Sequence, residues 1–197
     1  MNCSCESGFK FRIHEWHRVC QPLTPAPDAP LVLTLDPSFT ARDGSEGGNV
    51  SDDSAIAIGL LDDTDTLNIF DCVHGKFKGM ALPDAVADSV EKWHPSTLRV
   101  EQNPFYDLLT DAIKLRAELR GLEIGRIVPF KPVSPKKNRI ARLQYLLEKD
   151  PPLIRINQGL YVPELLKQAE SFCFRDIQNH RRPDNLLDVI CMQANFR

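Results

Sequence analysis

Three carboxylates of this chain stand at the ends of segments that read as buried, and their placement narrows the folds open to it. Asp36 closes the apolar run "LVLTLDPSF", Glu101 closes "TLRVEQN", and Asp184 opens the amphipathic stretch "PDNLLDVICMQA". A short apolar run bounded by turn signals reads as a core strand, and its first polar residue falls at the strand end. Two such ends on neighbouring strands set their acids side by side. A helix packed over them and starting on a third acid completes a cluster. Like charges that close repel, so a cluster of this kind is not assembled for stability, and a bound divalent cation offsets the repulsion. Two hard cations about 4 Å apart activate a water and stabilise the leaving oxygen of an in-line displacement, which is the chemistry of phosphodiester hydrolysis. Turns and N-caps also favour Asp and Glu for purely structural reasons. It is the order strand, strand, helix that points beyond them to chemistry.

Periodicity along the chain predicts strands near 31–36, 54–62 and 66–74, with the Gly-, Ser- and Asp-rich loop "TARDGSEGGNVSDD" joining the first pair. Asp52 or Asp53, where the second strand starts, serves a turn there, with an outer-shell place near the acids as the other reading. A helix is expected from Leu82 to Trp93, stopped by Pro95, then the Glu101 strand and a helix from Phe105 to Leu122 ended near Gly121. The strand "IGRIVPFKP", a helix carrying Arg139, a short strand at 153–156, a helix at 163–172 and the Asp184 helix follow. Early hairpin-like strands followed by alternating strands and helices indicate an α/β fold, a mixed sheet with helices on both faces.

The first thirty residues read differently, as an N-terminal arm and Pro-rich linker ahead of one domain over 31–197. They hold Cys3, Cys5, His14, His17 and Cys20, but a Cys-x-Cys pair without a matched second pair is a poor zinc signature, so a short docking helix or loose arm is expected. The six cysteines follow no framework spacing, as for free thiols. No stretch approaches the apolar length of a membrane span and the N-terminus has no signal-like apolar core, so a soluble, intracellular protein with no membrane partner is expected.

Charge is unevenly spread. The net charge is −3, yet nine acids and one base lie between Asp36 and Asp71, while five bases and no acid lie between Lys131 and Arg142. That asymmetry predicts a local electropositive groove rather than a basic protein. Lys136, Lys137, Arg139 and Arg142, at a helix start, together with Arg181 and Arg182 just before Asp184, are the candidate contacts to a DNA backbone.

These motifs carry a resemblance. From Leu31 to Ala194 the sequence resembles the nuclease domain of the large terminase subunit of tailed bacteriophages, a ribonuclease H-like fold. Asp36-Pro37-Ser38 is similar to the family's strand-ending "DPS", Glu101-Gln102-Asn103 to its Glu strand followed by Asn, and Asp184-Asn185-Leu186-Leu187-Asp188-Val189 to its "DDxxDA" helix. "SPKKNRIARLQYLLEKDPPLIRI" and "YVPELLKQAESF" resemble two further helices of that family. Asn185 and Val189 depart from the pattern, which leaves two acids, Asp184 and Asp188, for the third ligand position. Four residues apart, both can project from one helical face, and Asp184, nearer the helix start, is favoured.

The resemblance implies a metal-dependent endonuclease with Asp36, Glu101 and Asp184 catalytic, and with Mg²⁺ or Mn²⁺ in a two-ion site formed by these and Asp188. It implies double-stranded concatemeric viral DNA as substrate, with a packaging ATPase, a small terminase subunit and a portal as partners in the cytoplasm of an infected bacterial host. No G-x-x-x-x-G-K-[ST] phosphate loop occurs in the sequence, so cleavage without translocation is expected. The other readings are a different ribonuclease H-like nuclease, such as a junction resolvase, and a non-catalytic module binding DNA or a portal.

Overall fold

A computed structural model describes residues 11–37, 53–132, 134–172 and 184–194. Its centre is a seven-stranded mixed sheet in the order β1-β7-β4-β3-β2-β5-β6. The strands are β1 Cys20–Gln21, β2 Val32–Asp36, β3 Ser54–Leu61, β4 Leu67–Gly75, β5 Thr97–Glu101, β6 Arg126–Phe130 and β7 Ile154–Asn157. The helices are α1 Ile13–Val19, α2 Ala81–Trp93, α3 Tyr106–Leu119, α4 Lys136–Glu148, α5 Val162–Ser171 and α6 Asn185–Gln193. The expected strands and helices are present, with ends displaced by one to three residues. Only β3 runs against the others, being antiparallel to both β2 and β4, while β5, β6, β7 and β1 join by parallel pairing. Six strands therefore finish at one edge of the sheet.

Both faces are covered, which is why the central strands are apolar nearly throughout. Leu33, Leu35, Ile56, Ile58, Leu98 and Val100 pack with Leu82, Val86, Val90, Leu109 and Ile113 of α2 and α3. Arg116 of α3 and Arg120, the residue after it ends, pair with Asp84 of α2 and tie the two helices together. On the opposite face Ala55, Ala57, Leu67 and Ile69 meet α4, α5 and the apolar side of α6. Small Ala55 and Ala57 let α6 lie close on the sheet. Gln193 Nε2 donates to the carbonyls of Val32 and Ala57, each at 2.8 Å, and Arg99 Nη1 donates to Met192 O at 3.0 Å. α6 is thus bolted to the backbone of β2 and β3 by its own last turn. At Gly59, beside a bulge in the β3–β4 ladder, a Cβ would lie 2.9 Å from Asn68 O, so the close approach needs glycine.

The first described residues belong to this same core. α1 buries Trp16 completely, edge-on against Phe11 at 5.4 Å between ring centroids, and β1 adds a two-residue parallel edge strand to β7. The sequence supports a docking helix here, but it does not show that residues 11–21 join the sheet and the main core. Three apolar side chains, Phe11, Trp16 and Val19, anchor a segment that otherwise reads as polar. His14 faces Glu15 at 3.2 Å and Cys20 is a free thiol; Cys3 and Cys5 lie outside the described residues. Among the described residues no helix is long and apolar enough to cross a membrane.

Candidate active site

Asp36 and Glu101 end β2 and β5, adjacent parallel strands in which Leu35 is paired with Val100. Leu33 and Leu35 face α2 and α3, so strand alternation turns Asp36 to the α6 face, and Leu98 and Val100 turn Glu101 the same way. The two carboxyl groups meet at the strand ends, Glu101 being both hydrogen-bond partner and like charge to Asp36. Burial, the hydrogen bond and charge of Glu101, and the charge of Asp188 push the Asp36 carboxyl well above the usual carboxylate range, against the opposing pull of Lys136. Asn103 reaches from the segment after β5 toward Pro37 O at 3.5 Å, a weak link between the two acid-bearing strand ends.

The helices bring the remaining charges. Asp184 occupies the residue before α6, and Asp188 sits one turn on, 3% exposed. Lys136, first residue of α4, places Nζ 2.6 Å from Asp184 Oδ1 and 3.5 Å from Asp188 Oδ2. Burial acts to lower the Lys136 pKa, but Asp188, Asp184 and Asp36 outweigh it and hold the ammonium charged, with its pKa above the ordinary lysine value. One turn further along α4, Arg139 grips Asp188 through Nε at 3.1 Å and Nη2 at 2.7 and 2.8 Å, and donates from Nη1 to Ser134 O at 2.9 Å. The i, i+3 cations of α4 therefore match the i, i+4 acids of α6. Asp36, Asp184 and Asp188 all interact with one lysine, and Glu101 joins them through Asp36.

Two expectations for the basic cluster are corrected by this geometry. Arg139, expected to meet DNA, is 8% exposed and committed to Asp188, because a buried carboxylate requires a partner. Lys136, expected on the same DNA-binding face, points into the acids instead. Arg142 is exposed on α4. The Lys137 side chain, Arg181 and Arg182 lie outside the described residues. Sequence reading missed the neutralising role of Lys136 and Arg139; the available signal was their spacing at a helix start, which fits the Asp184/Asp188 pair.

Both oxygens of Asp188 accept from Arg139, whereas the Asp184 side chain, 22% exposed, lies at the mouth of the cluster. With the side chains so paired, no group of three or more His, Cys, Asp or Glu among the described residues is disposed as a metal cage. The donor set nevertheless fits a hard divalent cation. It is all oxygen, and beyond the effect of burial the charges of Glu101 and Asp188 push the Asp36 carboxyl up, a repulsion that a cation relieves. The cluster lies at the edge where six strands finish, the usual ligand-binding side of an open α/β sheet. A separate cavity of about 540 Å³, lined in part by Tyr106, Asp111, Ile124 and Ile127, lies under α3 and contains none of these acids.

The fold is that of the ribonuclease H-like nucleases. The chain is similar to the nuclease domain of the large terminase subunit gp2 of bacterial virus Sf6, with a TM-score of 0.56 and 12% identity over 93% of this chain and 97% of that one. It is similar to the same degree, at 13% identity, to a mutant of that domain holding manganese and beta-thujaplicinol. T. thermophilus RuvC in complex with a Holliday junction substrate aligns over 83% of this chain and 90% of its own, at 12% identity and a TM-score of 0.45. No protein-family profile and no curated relative matches the sequence.

Proposed function

We propose that this chain is a divalent-metal-dependent endonuclease that cuts double-stranded viral DNA during genome packaging. The observation that carries the reading is the abutting Asp36–Glu101 pair at the strand-end edge, with Asp188 of α6 acting on Asp36 and Asp184 joined to them through Lys136. Asp36, Glu101 and Asp184 would hold the cations, Mg²⁺ or Mn²⁺. Asp188 is a supporting acid whose role is to fix Arg139 and Lys136. Bound divalent cations would supply Lewis-acid activation of water and of the phosphodiester. The chain's own residues do the rest. Lys136 supplies positive charge that lets the acids stand together without metal, and the Arg139–Asp188 pair fixes α4 against α6. The Gln193 and Arg99 hydrogen bonds seat α6 over β2, so Asp184 is aimed by the far end of its helix.

The assignment to packaging DNA is supported by the likeness to the gp2 nuclease domain, which spans nearly the whole of both chains. In that setting a packaging ATPase, a small terminase subunit and a portal are the partners, in the host cytoplasm. The test is cleavage of supercoiled plasmid, linear duplex, four-way junction and RNA:DNA hybrid in Mg²⁺ and in Mn²⁺. Cutting of plasmid and linear duplex that is lost in Glu101→Gln is the expected result. Preference for the junction moves the assignment to a resolvase, and duplex binding without cleavage in either metal moves it to a non-catalytic packaging module.

A further inference from the structure

The loop that leaves β4 reaches the same edge of the sheet as the acids. In the ladder Asp36 is paired with Ala55 and Ala55 with His74, so His74 stands level with Asp36 two strands away. Directly paired residues share a face, which puts His74 on the acid side of the sheet. Two strand spacings are about 10 Å, or about three base-pair steps along a duplex axis. Immediately beyond His74 the chain runs Gly75-Lys76-Phe77-Lys78-Gly79 into α2. Phe77 packs against the Leu82–Val86 side of the core, and Gly79 turns the chain at φ 55°. With Phe77 inward, Lys76 and Lys78 on either side of it are exposed, and neither makes an ion pair among the described residues. The loop is therefore pinned, and its two cations are held out at a fixed station beside the cluster. β6 lies on the other side of the acids, beyond β5.

We propose that Lys76 and Lys78 form a second DNA-backbone contact, gripping phosphates about three base-pair steps from the bond that is cut, on the flank away from β6. This rests on the nuclease reading above and adds to it the direction in which the duplex lies, across the strand ends from β6 toward β4. The chemistry recognised is the phosphate backbone, without regard to base sequence.

The experiment is fluorescence anisotropy of a fluorescein-labelled 30-base-pair duplex titrated with the full chain in EDTA, at 50 to 200 mM KCl. Each lost phosphate contact removes about 0.9 from the slope of log K against log salt, so Lys76→Ala/Lys78→Ala is expected to flatten it by about 1.8. Between 50 and 200 mM KCl the wild type then loses about 12-fold more affinity than the variant. Lys76→Arg/Lys78→Arg keeps the wild-type slope, and Lys114→Ala, an exposed charge on α3 across the sheet, leaves it unchanged. An unaltered slope in the double alanine variant, with the wild type cutting plasmid, overturns this contact and leaves the nuclease reading intact. An equal flattening by Lys114→Ala also overturns it, since the effect is then bulk charge. A wild type that neither binds duplex nor cuts plasmid overturns both.

Discussion

Replacing Asp36 by Asn separates stability from activity in a way that only a crowded acid site allows. The Asp36 and Glu101 carboxyls abut, and burial and the acid neighbours raise the folded-state pKa of Asp36. Two unit charges about 4 Å apart at an effective dielectric near 20 repel by about 4 kcal/mol. The nearby Lys136 removes much of that, so the expected gain for Asp36→Asn in EDTA at pH 7.5 is about 1–2 kcal/mol. For a chain of this size that raises Tm by about 2–8 °C. A raised folded-state pKa means the folded state holds the proton more tightly, so wild-type stability falls as pH rises from the ordinary aspartate value of 3.8 through the folded value. The advantage of Asn must therefore shrink to nothing as pH drops below 3.8 and both states become protonated. If the acids hold metal as proposed, manganese is expected to invert the ranking, because a ligand at a hundredfold excess over its Kd stabilises the wild type by about 2.7 kcal/mol and the variant by less. Thermal unfolding followed by circular dichroism, with and without Mn²⁺ across this pH range, reads all three effects. A variant less stable than wild type in EDTA, or one that gains as much from Mn²⁺, would refute the reasoning.

Two further outcomes follow from the packing. Arg139→Met strands the buried Asp188 charge and is expected to cost about 3–5 kcal/mol, visible as a Tm lower by about 6–20 °C. Most of that loss returns in Arg139→Met/Asp188→Leu, whereas a surface DNA contact would leave the melt unchanged. Trp16→Ala empties a fully buried site in the core and is expected to cost about 3–5 kcal/mol by urea denaturation; a loss below about 1 kcal/mol would show α1 to be a loosely held arm.

What could be read from the chain follows the range of the interactions. Asp36 and Glu101 are legible because a polar residue that closes an apolar run falls at a strand end, and strand alternation then decides its face. The strands and helices were legible for the same reason, since their apolar periods are local. The bond between Arg139 and Asp188 joins residues 49 apart, and no local pattern encodes it. Arg139 consequently reads as one more exposed base in a basic run. Trp16 escapes for a related reason. Its neighbours are His, Glu and Arg, so the segment averages as polar although one side chain anchors it, and β1 is too short to carry any period.

The seating of α6 on the carbonyls of β2 and β3 has a consequence for the order in which the molecule becomes competent. Asp36 and Glu101 can take their places once the strands from residue 32 to residue 101 have paired, but Asp184 arrives only when the last described helix locks on through Gln193 and Met192. A nascent or partly opened molecule lacking that docked helix has two acids and no third. On the proposed reading, hydrolysis waits until α6 is in position, so the docking of that helix acts as a safety catch.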